Sequence, residues 1–139
     1  MKESPRLQQA ARAMIRYHVK SAPASADVAS VAVRAFKQLL NGISPLLGQA
    51  ASQALFRRSV KLTEPAFACL RGLHQEGTLE ALAAGLRAQE PEAAMEASVA
   101  LLVTYLRLLA NFIGERLTWR LVEEAWPDLL GTPSWETDE

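Results

Sequence analysis

The apolar pattern between Pro91 and Trp126 constrains the fold more than any other feature of this sequence. Counted at about 100° per residue, its apolar residues fall on two faces of a helix. The first face carries Met95, Val99, Leu102, Leu106, Leu109, Ile113, Leu117 and Leu121, and the second carries Leu101, Tyr105, Leu108, Phe112, Trp119, Val122 and Trp126. A helix with two apolar faces is either central in a bundle or packed against a second chain. We favour the second chain, because few other helices are available, and keep internal core as the alternative.

The second face therefore predicts an interface. Its residues are Leu101, Tyr105, Leu108, Phe112, Glu115, Trp119 and Trp126. Glu115 is its one charged member, and an unpaired buried carboxylate is costly. We therefore expect Glu115 to be partly buried and to pair with an arginine (Arg34, Arg57 or Arg58) or with an indole N–H. The preceding Gly114 either admits a close neighbouring helix or marks a bend.

The rest of the chain predicts further helices, bounded by capping residues and prolines. The expected helices run from Ser4-Pro5 to about Lys20, from about Ala24 to Asn41-Gly42, from Ser44-Pro45 to about Lys61, from Thr63 to Gly77 and from Thr78 to about Ala88. The prediction is an all-α, single-domain bundle of five or six helices with a long, two-faced C-terminal helix. Residues 1–130 form the expected domain, and residues 131–139 an expected disordered tail.

Charge is balanced overall but unevenly distributed. Residues 1–62 carry ten Lys and Arg against two acids, whereas residues 63–139 carry five Arg against thirteen acids. The predicted basic face consists of Arg34, Lys37, Arg57, Arg58 and Lys61. We expect the two halves to neutralise each other, or a second copy. Binding of nucleic acid or another anion is the alternative; nucleic acid is disfavoured because DNA-binding domains usually have a basic total and a recognisable reading element.

The sequence shows no catalytic, cofactor or metal motif. Glycine-rich phosphate loops, the nucleophile elbow and metal-binding histidine pairs are missing from it. Cys69 and His74 are five residues apart, a spacing that places them on different sides of a helix. His18 follows Leu7, Ala11 and Met14 on an apolar face, as expected of a histidine at the edge of the core. We therefore expect a protein that is not an enzyme and uses no cofactor or metal.

The sequence also predicts a cytoplasmic protein without membrane contact. The N-terminus carries charges throughout, unlike a secretory signal. The most apolar run, ASVALLVTYLRLLANFI, is shorter than the roughly 20 residues that cross a bilayer and contains Arg107. We expect a buried helix there.

The segments PLLGQAASQALFRRSVKL and LLVTYLRLLANFIGERLTWRLVEEAWPDL together resemble a little-characterised family of small bacterial helical proteins associated with signalling. The resemblance covers these leucine-rich segments only. It implies a non-catalytic, dimerising or partner-binding role, possible protein partners in signalling, and no particular functional residue.

The expected function is thus association: a homodimeric helical module with a regulatory or scaffold role. The alternative is a ligand-binding domain in which Tyr105, Phe112, Trp119 and Trp126 line a pocket for an apolar or tetrapyrrole-like molecule. A second alternative is nucleic-acid or anion binding through the basic N-terminal half.

Overall fold

The computed structural model describes residues 5–21, 27–71, 73 and 77–127 of this all-α bundle. The bounded helices are α1 (Pro5–Ser21), α2 (Val28–Leu47), α3 (Gln49–Thr63), α4 (Leu79–Arg87), α5 (Pro91–Ile113) and α6 (Glu115–Ala125). Two short 3₁₀ turns, Glu64–Ala66 and Ala68–Leu70, follow α3. None of the residues in these described ranges lies in a β-strand, which confirms the predicted fold class.

The predicted starts at Pro5 and after Thr78 are confirmed, and the predicted start near Ala24 is corrected. Pro5 is the first residue of α1, where the missing N–H of proline costs nothing. The Thr78 hydroxyl caps α4 by accepting a hydrogen bond from the Ala81 N–H at 3.1 Å. Helix α2 begins at Val28 instead of near Ala24, since the Asp27 carboxylate caps it by accepting from the Ser30 N–H at 2.8 Å.

The predicted boundary between the second and third helices is wrong. Asn41-Gly42 and Ser44-Pro45 both lie inside α2, which continues to Leu47. Ile43, between these two signals, is fully buried, so helical packing against the core outweighs the local stop signals. The helix ends at Gly48, whose φ is +89° and whose N–H donates to the Ser44 carbonyl at 2.7 Å.

The predicted fourth helix is wrong at its start. Thr63 does not cap a new helix; it is the last residue of α3, and its hydroxyl donates to the Ser59 carbonyl at 2.7 Å. The segment that follows forms the two 3₁₀ turns. The predicted end of that helix, just before Gly77, lies outside the described residues.

Helices α2 and α5 are the two central elements. Each contacts all of the other five bounded helices. In α5 the six consecutive residues from Leu101 to Leu106 are buried, as expected of a helix that is surrounded on every side. The two apolar faces of α5 are therefore largely explained by internal packing, which is the alternative that the sequence left open.

The predicted long C-terminal helix is divided at Gly114. Helix α5 ends at Ile113 and α6 begins at Glu115, with Gly114 at φ +95° and ψ 154°. Such a backbone conformation is strained for residues that have a Cβ. Gly114 thus marks the bend, and the face counted through it is not continuous.

Candidate functional site

The structure separates the predicted interface residues into two groups. Leu101, Tyr105, Trp119 and Trp126 belong to the core, with exposed fractions between 0% and 5%. Leu108 is half-buried, whereas Phe112 and Glu115 are exposed. The four core residues present little surface to a second chain in this fold, so the predicted interface reduces to the end of α5 and the start of α6.

Tyr105 lies in an aromatic cluster at the centre of the bundle. Its ring makes an edge contact with Phe36, 6.4 Å between centroids, and Phe36 in turn packs edge-on against Phe56 at 5.4 Å. The Tyr105 hydroxyl donates to the Ser52 carbonyl at 3.3 Å. Burial raises the pKa of Tyr105, since the charged form would lose its hydration. Tyr105 is therefore a core residue.

Trp126 lies against a different helix, α1. Its indole N–H donates to Nε2 of the buried His18, and the two rings meet edge-on. Phe112, by contrast, is 64% exposed. Tyr105, Phe112 and Trp126 thus lie in three different surroundings, and the pocket predicted from this aromatic set is not formed by them.

Glu115 does not have the predicted burial. It is the first residue of α6, and its side chain is exposed. The break at Gly114 explains the error, because it rotates the following residues away from the face counted along α5. A carboxylate in the first turn of a helix interacts favourably with the positive end of the helix dipole, so Glu115 has an ordinary structural role.

The exposed end of α5 is a surface without charged side chains. No charged residue occurs between Arg107 and Glu115. Asn111 and Phe112 are exposed there, and Leu108 and Ile113 are half-buried. We call the exposed and half-buried residues of the range 108–114 the α5 end surface; Leu109, within this range, is buried. Because the central part of an interface is typically depleted of charge and enriched in aromatic residues, this surface is a candidate site of association.

The five residues of the predicted basic face are all exposed on α2 and α3. None of the five forms an ion pair with a carboxylate among the residues that the structure describes. An ion pair between the two halves has the opposite arrangement: Arg87 of the acidic half lies 3.1 Å from Asp27 of the basic half. Among the described residues, these five cations are thus not paired within one chain, and neutralisation of the two halves, or by a second copy, stays a prediction.

Two of the basic residues, Arg34 and Lys37, stand between two surface grooves and line both of them. The larger groove, of about 740 Å³, lies between α2, α3 and the start of α4. The smaller groove, of about 490 Å³, lies between α2 and the end of α1. We call these the α4 groove and the α1 groove.

The other basic residues lie on α3. The aliphatic part of Arg57 covers Gly77, where an added Cβ would come within 2.7 Å of its Cγ. Gly77 directly precedes Thr78, a residue of the α4 groove, although Arg57 itself does not line that groove. Arg58 and Lys61 are exposed and line neither groove. The basic face is thus divided, with Arg34, Lys37 and Arg57 near the grooves.

Sequence reasoning missed the rest of the α4 groove. Val33, Leu79 and Ala83 supply its apolar surface, and Thr78 and Glu80 come from the start of α4. The spacing of three residues between Arg34 and Lys37 predicts that both lie on one side of α2. It does not predict that α4 packs beside them. The described residues contain no group of three or more His, Cys, Asp or Glu that could hold a metal ion.

Helix α5 is long and apolar enough to cross a bilayer by length and composition. Such a helix is weak evidence for a membrane protein, because the core helix of a bundle has the same properties. In the described structure 61% of its most apolar window is buried inside the bundle.

No protein-family model, curated protein or solved structure matches this chain.

Proposed function

We propose that this protein is a non-catalytic association module that forms a homodimer through the α5 end surface. The observation that carries the proposal is the 64% exposure of Phe112 on a helix whose preceding turns are core. Tyr105 and Leu101, two and three turns earlier on the same stripe, are fully buried. The stripe therefore leaves the core at Phe112 with its apolar character unchanged.

The surroundings of Phe112 support a contact with another protein surface. An apolar residue gains about 25 cal/mol for each Å² of area that association removes from water. Leu108, four residues before Phe112, and Ile113, directly after it, are half-buried. Association can therefore complete their burial. The absence of charged residues between Arg107 and Glu115 means that little charge needs to lose its hydration there.

A second copy of this chain is the partner that we propose. The formal net charge of the chain is zero, so two copies do not repel each other through their total charge. In a two-fold dimer the same surface patch of each copy contacts its equivalent on the other copy. A small apolar patch that contains an aromatic residue suits this geometry. A regulatory or scaffold role in bacterial signalling is the part of this proposal that depends on the sequence resemblance alone.

The test is the molar mass in solution of the wild type and of Phe112→Ser, measured by light scattering at micromolar concentration. The matched control is Val19→Ser on α1, which changes another apolar residue that is about half exposed. We expect twice the single-chain mass for the wild type and the control, and the single-chain mass for Phe112→Ser. A wild type at single-chain mass, or a Phe112→Ser variant that dimerises as the wild type does, would disprove the proposal.

A further inference from the structure

The ridge formed by Arg34 and Lys37 is a concentration of positive charge beside apolar surface, and neither residue forms an ion pair with a described carboxylate. Both side chains are exposed on α2, and both line the α4 groove and the α1 groove. A charged ligand that lies along either groove, or crosses from one to the other, passes both of them. This surface is distinct from the α5 end surface, and its argument does not depend on dimerisation.

Asp27, the carboxylate that caps the start of α2, does not neutralise the ridge. Asp27 accepts one hydrogen bond from the Ser30 N–H at 2.8 Å and another from Nε of Arg87 at 3.1 Å. Arg87 also lies 3.4 Å from the Ser30 hydroxyl. Asp27 is therefore committed to the cap of α2 and to Arg87, and Arg34 and Lys37 keep their charge available.

The remaining walls of the α4 groove favour an anion as well. Among the described residues that line it, Arg34, Lys37 and Arg87 are the cations and Glu80 is the one carboxylate. Thr78, Leu79 and Glu80 bring the start of α4 to the groove, and the start of a helix is the positive end of its dipole. Arg57, held over Gly77, adds a further cation beside this wall.

Apolar side chains complete the α4 groove. Val33 and Leu79 are half-buried, and Ala83 is buried. The groove volume of about 740 Å³ is within the range of about 300–1,000 Å³ that is usual for binding sites. The groove thus offers contacts for apolar side chains next to cations, which matches a chain segment that alternates leucine-like and carboxylate side chains.

We propose that the α4 groove binds an acidic peptide segment of a partner protein, with carboxylates on Arg34 and Lys37 and an apolar side chain against Val33, Leu79 and Ala83. A nucleic-acid backbone fits this surface less well. Its charge is regular and needs a broad basic surface, whereas this groove has apolar walls, contains Glu80 and belongs to a chain of zero net charge.

The experiment measures fluorescence anisotropy of a labelled peptide of sequence DLDELD with the full chain. The test variant is Arg34→Glu with Lys37→Glu. The matched control is Arg12→Glu with Arg16→Glu, which makes the same change of charge at two exposed positions of α1 that line neither groove. We expect the test variant to bind at least about tenfold more weakly, equivalent to about 1.4 kcal/mol, and the control to stay within about threefold of the wild type.

Changes in the peptide separate the two kinds of contact. NLNQLN, which lacks the carboxylates, and DSDESD, which lacks the leucines, are each expected to bind more weakly than DLDELD. Added salt is expected to weaken DLDELD binding, because the screening length falls from about 10 Å at 0.1 M to about 3 Å at 1 M. Circular dichroism and urea unfolding of both double variants check that these exposed changes preserve the fold.

Three kinds of result would overturn the proposal. The first is binding that does not depend on the charges, seen as equal binding of DLDELD and NLNQLN or as equal binding by the wild type and the test variant. The second is tighter binding of a random-sequence DNA duplex than of DLDELD, lost in the test variant, which would assign the ridge to nucleic acid. The third is a wild type that dimerises and a test variant that does not, which would assign the groove to a second copy. A failure of the α5 end surface to dimerise would leave the peptide result unchanged.

Discussion

The indole N–H of Trp126 donates a hydrogen bond to Nε2 of His18 at 3.2 Å, and both side chains are buried. This contact joins the end of α6 to the end of α1. Because Nε2 accepts the hydrogen bond, the His18 ring is neutral and carries its proton on Nδ1. Burial, and secondarily the charge of Arg34, lower the pKa of His18 below its ordinary value of about 6.5.

The lowered pKa of His18 predicts that the fold loses stability in acid. Between the folded and the unfolded pKa the unfolded chain binds more protons, so its population rises as the pH falls. The contribution of His18 is fully present above about pH 6.5 and declines below it, as protonation removes the acceptor for Trp126. Urea unfolding at pH 8 and pH 5 should therefore give a smaller free energy of unfolding at pH 5.

A variant that cannot titrate tests this origin. In His18→Gln the amide oxygen can still accept from the Trp126 indole, so the difference between pH 8 and pH 5 should shrink. His74→Gln is the companion variant, since it removes the other histidine of the sequence, and comparison of the two variants separates their contributions to the pH dependence. An unchanged pH dependence in His18→Gln would exclude His18 as its cause.

We expect substitution by alanine to have opposite effects on the free energy of unfolding at Gly114 and at Gly42. Gly114→Ala places a Cβ at φ +95°, with no atom of the described structure within 4 Å, so its cost is backbone strain on the order of 1–3 kcal/mol. Gly42 lies inside α2, and its added Cβ would lie 3.7 Å from the Ala125 Cβ, an ordinary contact. Alanine there should be neutral or stabilise α2 by up to about 1 kcal/mol. Equal effects in urea unfolding would contradict this assignment.

The same two glycines show why the helix boundaries were only partly predictable. Pro5, Thr78 and Gly114 act through local geometry, and the structure uses each of them near where the sequence suggests. Asn41-Gly42 is a stop signal of comparable local strength, yet α2 continues through it. The fully buried Ile43 and the hydrogen bond from the Gln38 amide to the Ala125 carbonyl show the reason, since both depend on helices distant in sequence.

The candidate site was predictable to a similar extent. The spacing of Leu101, Tyr105 and Phe112 correctly identified one stripe of α5 but not how far along it the core extends. Tyr105 is fully buried, whereas Phe112 is 64% exposed. The point on α5 at which burial ends depends on which neighbouring helices end there. For the basic face, exposure of Arg34 and Lys37 followed from sequence, whereas the groove depends on how α4 packs.

Substitution of Glu115 should have little effect on stability. Its side chain is exposed at the first position of α6, so its contribution is limited to the helix dipole, about 0.3–1 kcal/mol. Glu115→Gln and Glu115→Ala should both lower the free energy of unfolding by no more than that. Glu124→Gln, exposed in the last turn of α6, is the control, because removal of a negative charge there should be neutral or slightly stabilising. A loss of several kcal/mol for Glu115→Gln would indicate a buried partner.

Leu101 and Phe112 provide the sharpest test of where the core ends on α5. Leu101→Ala removes a fully buried side chain, and such a change costs about 2–5 kcal/mol. Phe112→Ala removes a side chain that is 64% exposed, so its effect on the folded monomer should be within about 0.5 kcal/mol. Both should be measured by urea unfolding at a concentration where light scattering gives the mass of one chain, so that association does not contribute.

The double change of Leu101 and Leu108 to Glu should unfold the protein, because it buries a charge at Leu101. A folded monomer would instead show that this part of the stripe faces outward.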